Sequence, residues 1–218
     1  MMDMQGGNLL LLTGILAAMS LLPLLMIVST AFLKIAVVLM ITRSALGVQQ
    51  VPPNMAIYSI ALAATIFIMT PVGYSIVENF RESPLDVANV DTLQEDLSRN
   101  LSPIGEFMQR NTSPETVTHL VGITNDIWPQ DIARKVSRDS LVIVLPSFVL
   151  SELQRGFEIG FLIYIPFIVI DLIVSNLLLA LGMQMVSPMT ISLPLKILLF
   201  VMVSGWTQLL NSLFYSYQ

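Results

Sequence analysis

The chain of 218 residues has no cysteine, a single histidine and little charge. Without cysteine, disulfides and thiolate metal sites are excluded, and His119 alone cannot build a multi-histidine metal centre. The net charge of -5 gives no reason to expect nucleic acid, which calls for a clustered basic surface. Charged residues make up 11% of the chain, against roughly a quarter in an ordinary soluble domain. Catalytic signatures are missing too: there is no HExxH, no GxSxG and no paired catalytic carboxylates. The chain therefore reads as a non-enzyme, with no cofactor and no metal.

What is present is apolar. Hydrophobic residues make up 55% of the sequence and the mean hydropathy is +0.78, which places the chain in the membrane class. Glu78 to Asp139 holds 11 of the 15 acidic and 6 of the 10 basic residues, with Pro84, Pro103, Pro114 and Pro129. Residues 1–77 thus form an N-terminal hydrophobic hairpin, 78–140 a polar helical insert, and 141–218 a C-terminal hydrophobic hairpin. A bilayer core takes about 20 apolar residues per helix. Leu9–Ile41, Met55–Val77, Ile159–Leu181 and Ile191–Leu213 reach that length, whereas Val142–Leu150 is too short to span. The expected fold is all-α.

Asp3 stands where a signal peptide carries positive charge, and the apolar run outlasts an h-region, so the first segment reads as a retained helix. Arg43 favours a cytoplasmic loop and puts the insert on the far side of the membrane. Asp86, Asp91, Glu95 and Asp96 lack the glycine and terminal glutamate of an EF-hand loop, and read as solvated surface.

The stretch Pro146–Asp171 puts Glu152, Arg155, Glu158 and Asp171 into an apolar run, where ionised groups are costly unless paired or hydrated. On a helix, Glu152, Gly156 and Gly160 share a face, and the two glycines form a small-xxx-small pair that admits another helix. That helix belongs either to the same subunit or to a neighbour. Lys196, after Pro194, is the preferred partner of Glu152; Asp171 is left to a local hydrogen bond or to Lys34. A proton relay through Asp171 is the competing role. Between the last two segments, Gly182–Met189 carries Met183, Gln184 and Met185. Flexible, polarizable methionines there either pack ordinarily or, contributed by several subunits, form a soft gasket around a lumen.

Four motifs in order, PSFVLSELQRGFEIGF (146–161), YIPFIVID (164–171), GMQMVSP (182–188) and LPLK (193–196), resemble the FliP/SctR family of type III secretion export apparatus. RSALGVQQVPPN (43–54) extends the resemblance and, with the retained N-terminus, is more like the injectisome branch than the flagellar one. The resemblance implies bent hairpins, with Pro23, Pro71 and Pro166 breaking straight helices, that assemble into a pseudo-helical oligomer, a pentamer of this chain with S and T components, beside U and V components. It further implies an entry portal for unfolded secreted proteins in the bacterial inner membrane, multi-pass in sequence but raised out of the lipid towards the periplasm. In that family the gate maps to Met183, Gln184 and Met185, with Gln184 departing from a methionine found in many relatives. The resemblance also implies that Glu152 and Lys196 pair between subunits. An ion channel or secondary transporter is the alternative, favoured if Lys34, Asp171 and Lys196 line one path.

Overall fold

The computed structural model describes residues 13, 16, 19–21, 23–48, 51–84 and 90–218. Asp3, the start of the first apolar segment at Leu9, Asp86 and the side chain of Asp91 lie outside the described residues. Among the described residues every regular element is a helix. They run α1 (Pro23–Ser29), α2 (Phe32–Ala45), α3 (Asn54–Glu82), α4 (Val90–Asn100), α5 (Ser102–Arg110), α6 (Pro114–Ile127), α7 (Gln130–Ala133), α8 (Leu141–Ala180), α9 (Pro188–Met202) and α10 (Gly205–Tyr215).

The described helices α3 and α8 are long and apolar enough to cross a membrane, and α1–α2 and α9–α10 qualify if each bent pair is one span. Two features differ from the sequence reading. First, α8 begins at Leu141, so Val142–Leu150 is its opening rather than a separate short segment. Its 40 residues extend about 60 Å, twice a hydrocarbon core of about 30 Å. Glu152, Arg155 and Glu158 interrupt the hydropathy there, but they are good helix formers and leave the backbone ladder intact.

Second, the sharp bends are not at the prolines. Pro71 and Pro166 lie inside uninterrupted helices, and helical residues stand on both sides of Pro23, at 19–21 and from 24 onward. The α1–α2 bend of 77° falls at Thr30, whose hydroxyl donates to the Met26 carbonyl (2.5 Å) and accepts from the Phe32 N–H (3.4 Å). One side chain thereby serves the end of one helix and the start of the next. The α9–α10 bend of 60° falls at Ser204, in the left-handed region at φ 52°. A Cβ on the adjacent Gly205 would overlap the Phe200 ring, so only glycine lets the chain turn back this closely.

Helix α2 is the hub of the core. Ile35, Val38 and Leu39 are fully buried against Ile57 and Ala61 of α3, Val144 and Phe148 of α8, and Leu209 and Leu213 of α10. The polar insert is not detached from this core. Phe107 and Met108 of α5 enter it, and the Ser113 N–H donates to Ser151 Oγ of α8 at 3.0 Å. Arg155 donates to the Asn111 carbonyl at 3.2 Å. Buried Asn100 donates to the Ser83 carbonyl at 3.0 Å, tying α4 back to the end of α3.

Candidate functional site

The residues singled out from sequence fall at three places along α8. Nearest its N-terminus is a sealed charge pair. Gly156 and Gly160 face α2: a Cβ on Gly156 would lie 3.3 Å from Val37 Cγ1 and 3.6 Å from Lys34 Cα, and one on Gly160 would lie 2.5 Å from Ile41 Cδ1. The glycines therefore admit a helix of the same subunit. Admitting α2 brings Lys34 to Glu152, one turn before Gly156, with Nζ 3.2 Å from Oε1 and both side chains fully buried. The Tyr217 hydroxyl donates to Glu152 Oε2, and Lys34 Nζ stands 3.5 Å from the centroid of the Tyr217 ring. The glycine groove and the charge are one device: close approach makes room for an ion pair whose remaining faces an aromatic covers.

Within one subunit the charges pair differently from the preferred Glu152–Lys196 partnership, which the family resemblance places between subunits. Glu152 is taken by Lys34, and Lys196 by Asp171, with Nζ to Oδ2 2.5 Å. The reason is distance. Asp171 lies nineteen residues beyond Glu152, about 28 Å along the helix, so one lysine cannot serve both. Lys196 also donates to the carbonyl of Ala45 at 3.2 Å, the last residue of α2, where an unsatisfied helix carbonyl favours a cation. Asp171 keeps 45% of its side chain exposed while Lys196 is buried at 6%, so this second pair is open on its carboxylate side only, where the first is closed on both.

Beyond it, α8 ends in a Schellman turn. Gly182, at φ 72°, donates to the Leu179 carbonyl (3.1 Å), and the Met183 N–H reaches back to Leu178 (2.9 Å). Glycine is required at that left-handed position, and it throws Met183, Gln184 and Met185 out beyond the helix end. All three are exposed, Met185 completely.

Elsewhere, His119 lines a shallow groove of about 460 Å³ with Glu115, Gln154 and Phe157. No group of three or more potential metal ligands occurs among the described residues. Tyr217 is the site residue that sequence reasoning missed. Its only sequence-level signal is a phenol near the end of an apolar chain that already holds an unpaired carboxylate and ammonium.

Comparison with known proteins places these features in context. Residues 15–213 match the FliP family. The chain is similar to the harpin secretion protein HrpW of Pseudomonas syringae pv. syringae, 63% identical over 202 residues that cover 93% of this chain and 97% of that protein. It is 59% identical to the harpin secretion protein HrcR of Erwinia amylovora, with 93% of each covered. It is 46% identical to the Yop proteins translocation protein R of Yersinia pestis, covering 93% of this chain and 94% of that one.

Proposed function

Because the chain belongs to the FliP family, with relatives of the injectisome R type, we propose that it is a core subunit of a type III secretion export gate. In this reading several copies, five by the family pattern, assemble with S and T components, next to U and V components. Together they form the entry portal through which unfolded proteins cross the bacterial inner membrane. The relatives' names supply secretion and translocation; the portal role rests on the methionine loop.

A portal must close around a moving, chemically varied chain, which asks for soft apolar side chains that touch nothing within their own subunit. Met185 is fully exposed at the turn between α8 and α9, and Met183 and Gln184 stand beside it. Copies arranged around an axis would bring these tips together into a deformable ring. The outward apolar residues of α8, among them Phe161, Leu162, Ile165 and Leu172, supply surface for neighbouring subunits or lipid. The chain carries no chemistry in this role: it shapes and seals a path.

The transporter alternative needs Lys34, Asp171 and Lys196 along one path. Lys34 is sealed against Glu152, and the Asp171–Lys196 pair lies about 28 Å further along α8, which disfavours it. Purification in mild detergent tests the proposal. A multi-subunit cone that retains S-type and T-type partners supports it; a lone monomer that moves solute in vesicles overturns it.

A further inference from the structure

Tyr217 has no part in the proposed gate, yet it stands where four parts of the fold meet. Its hydroxyl donates to Glu152 Oε2 on α8 and lies 3.3 Å from the Ala31 carbonyl just before α2. Its ring faces Lys34 Nζ at 3.5 Å and stacks on Phe107 of α5, with centroids 5.8 Å apart and planes 19° apart. Glu152 Oε1 faces the Lys34 ammonium at ion-pair distance, 3.2 Å, and the hydrogen bond that the carboxylate receives comes from Tyr217, at Oε2.

We propose that Tyr217 is the closing piece of the charged core, so that a subunit's ion pair is sealed only when its C-terminal hairpin has docked. The order follows from the chain. Lys34 and Glu152 meet as soon as α2 packs on α8, but the pair's remaining carboxylate oxygen and the face of the ammonium stay uncovered until residues after α10 arrive. A desolvated pair with one group unsatisfied is strongly unfavourable, whereas a charge-assisted hydrogen bond and a cation–π contact compensate it. Docking of the α9–α10 arm, which carries Lys196 and follows the methionine loop, is thereby coupled to the insert through Phe107. A subunit whose arm is displaced keeps an open, protease-sensitive core and does not mature into the complex.

Limited proteolysis of membranes containing the full chain tests this. Tyr217→Phe keeps the ring and loses the donor; Tyr217→Leu loses both. Cleavage should quicken about threefold for Phe and about tenfold or more for Leu. In a Lys34→Met/Glu152→Leu background, where no charge needs covering, the same two substitutions should each change the rate less than twofold. Wild-type resistance in Tyr217→Leu overturns the proposal. So does an undiminished effect in the uncharged background, because the tyrosine would then act only by packing on Phe107. If the uncharged variant does not accumulate, Glu152→Gln serves instead: adding Tyr217→Phe should then cost less than twofold, and a full threefold overturns the proposal.

Discussion

The two halves of α8 handle charge in opposite ways. In the first half, Lys34 and Glu152 are fully buried, covered by Tyr217 and framed by glycines that bring two helices into contact. In the second, Lys196 holds a half-exposed Asp171 and a helix-end carbonyl, close to where the chain turns out into the methionine loop. A sealed pair fixes one helix register, because any slip strands a charge in apolar surroundings. A pair open on one side loosens at lower cost, since water reaches its carboxylate and replaces the lost partner there. The sealed end of the helix carries the insert and the half-open end leads to the proposed gate, so the contrast separates holding the subunit together from letting its tip adjust.

Breaking the sealed pair should have the largest effect. Glu152→Ala leaves Lys34 buried without its carboxylate, at a cost of about 3–5 kcal/mol. The protein should fail to accumulate or unfold at much lower denaturant. Asp171→Ala leaves the buried Lys196 with the Ala45 carbonyl and with water on the exposed carboxylate side, so it should cost less in the same assay, about 1–3 kcal/mol. Equal losses at the two sites would erase the distinction between the halves.

The glycines that frame the sealed pair come next. Gly160→Ala would set a methyl 2.5 Å from Ile41 Cδ1 and 3.0 Å from its Cβ and Cγ2, a clash worth about 1–3 kcal/mol. Gly156→Ala meets Val37 at 3.3 Å and should cost under about 1 kcal/mol. Ile41→Ala should recover part of the Gly160→Ala loss and none of the Gly156→Ala loss. Denaturant midpoints of the four variants decide this; equal costs at both glycines would mean that α2 and α8 pack more loosely than the sealed half requires.

How much of this was legible follows the same division. The all-helical class, the apolar segments and the glycine pair could be read because each is a local pattern of composition or spacing. The turn at Gly182 was legible as a loop, since a glycine after an apolar run ends a helix whatever surrounds it. Which cation meets which carboxylate was not, because pairing depends on how helices far apart in sequence cross. Lys196 reads as the partner of Glu152, and Lys34 only as a candidate for Asp171, until α2 is seen in the glycine groove. The full length of α8 was hidden for a related reason: hydropathy registers Glu152 and Arg155 as a break, whereas partners supplied by α2 and by Asn111 make them part of one continuous helix. Tyr217 was invisible because its role belongs to tertiary closure alone.

The open pair offers a finer discrimination. Lys196→Glu sets a second carboxylate at a buried position beside Asp171 and the Ala45 carbonyl, so it should weaken assembly and cost the subunit more stability than Asp171→Ala does. Adding Asp171→Lys should restore much of the assembly on native gels, whereas adding Glu152→Lys should not, because it breaks the sealed pair as well. Rescue by Glu152→Lys instead would show that Lys196 reaches a neighbouring subunit's Glu152 in the complex, and would make the contact with Asp171 a property of the separate subunit.

The smallest effect on stability, and the most specific on function, belongs to the loop. Met183→Ala with Met185→Ala removes side chains that are exposed in the subunit, so unfolding should shift by less than about 0.5 kcal/mol and assembly should proceed. If those side chains fill a shared lumen, their loss leaves a gap that alanine cannot close, and the resting complex should leak small ions. Gln184→Met should act in the opposite direction, because it replaces a hydrated amide in the ring by another deformable apolar group and tightens the seal. Conductance of the assembled complex in planar bilayers separates these outcomes. Unchanged leakage in both variants would return the methionines to ordinary surface and leave the open half of α8 without a gate to position.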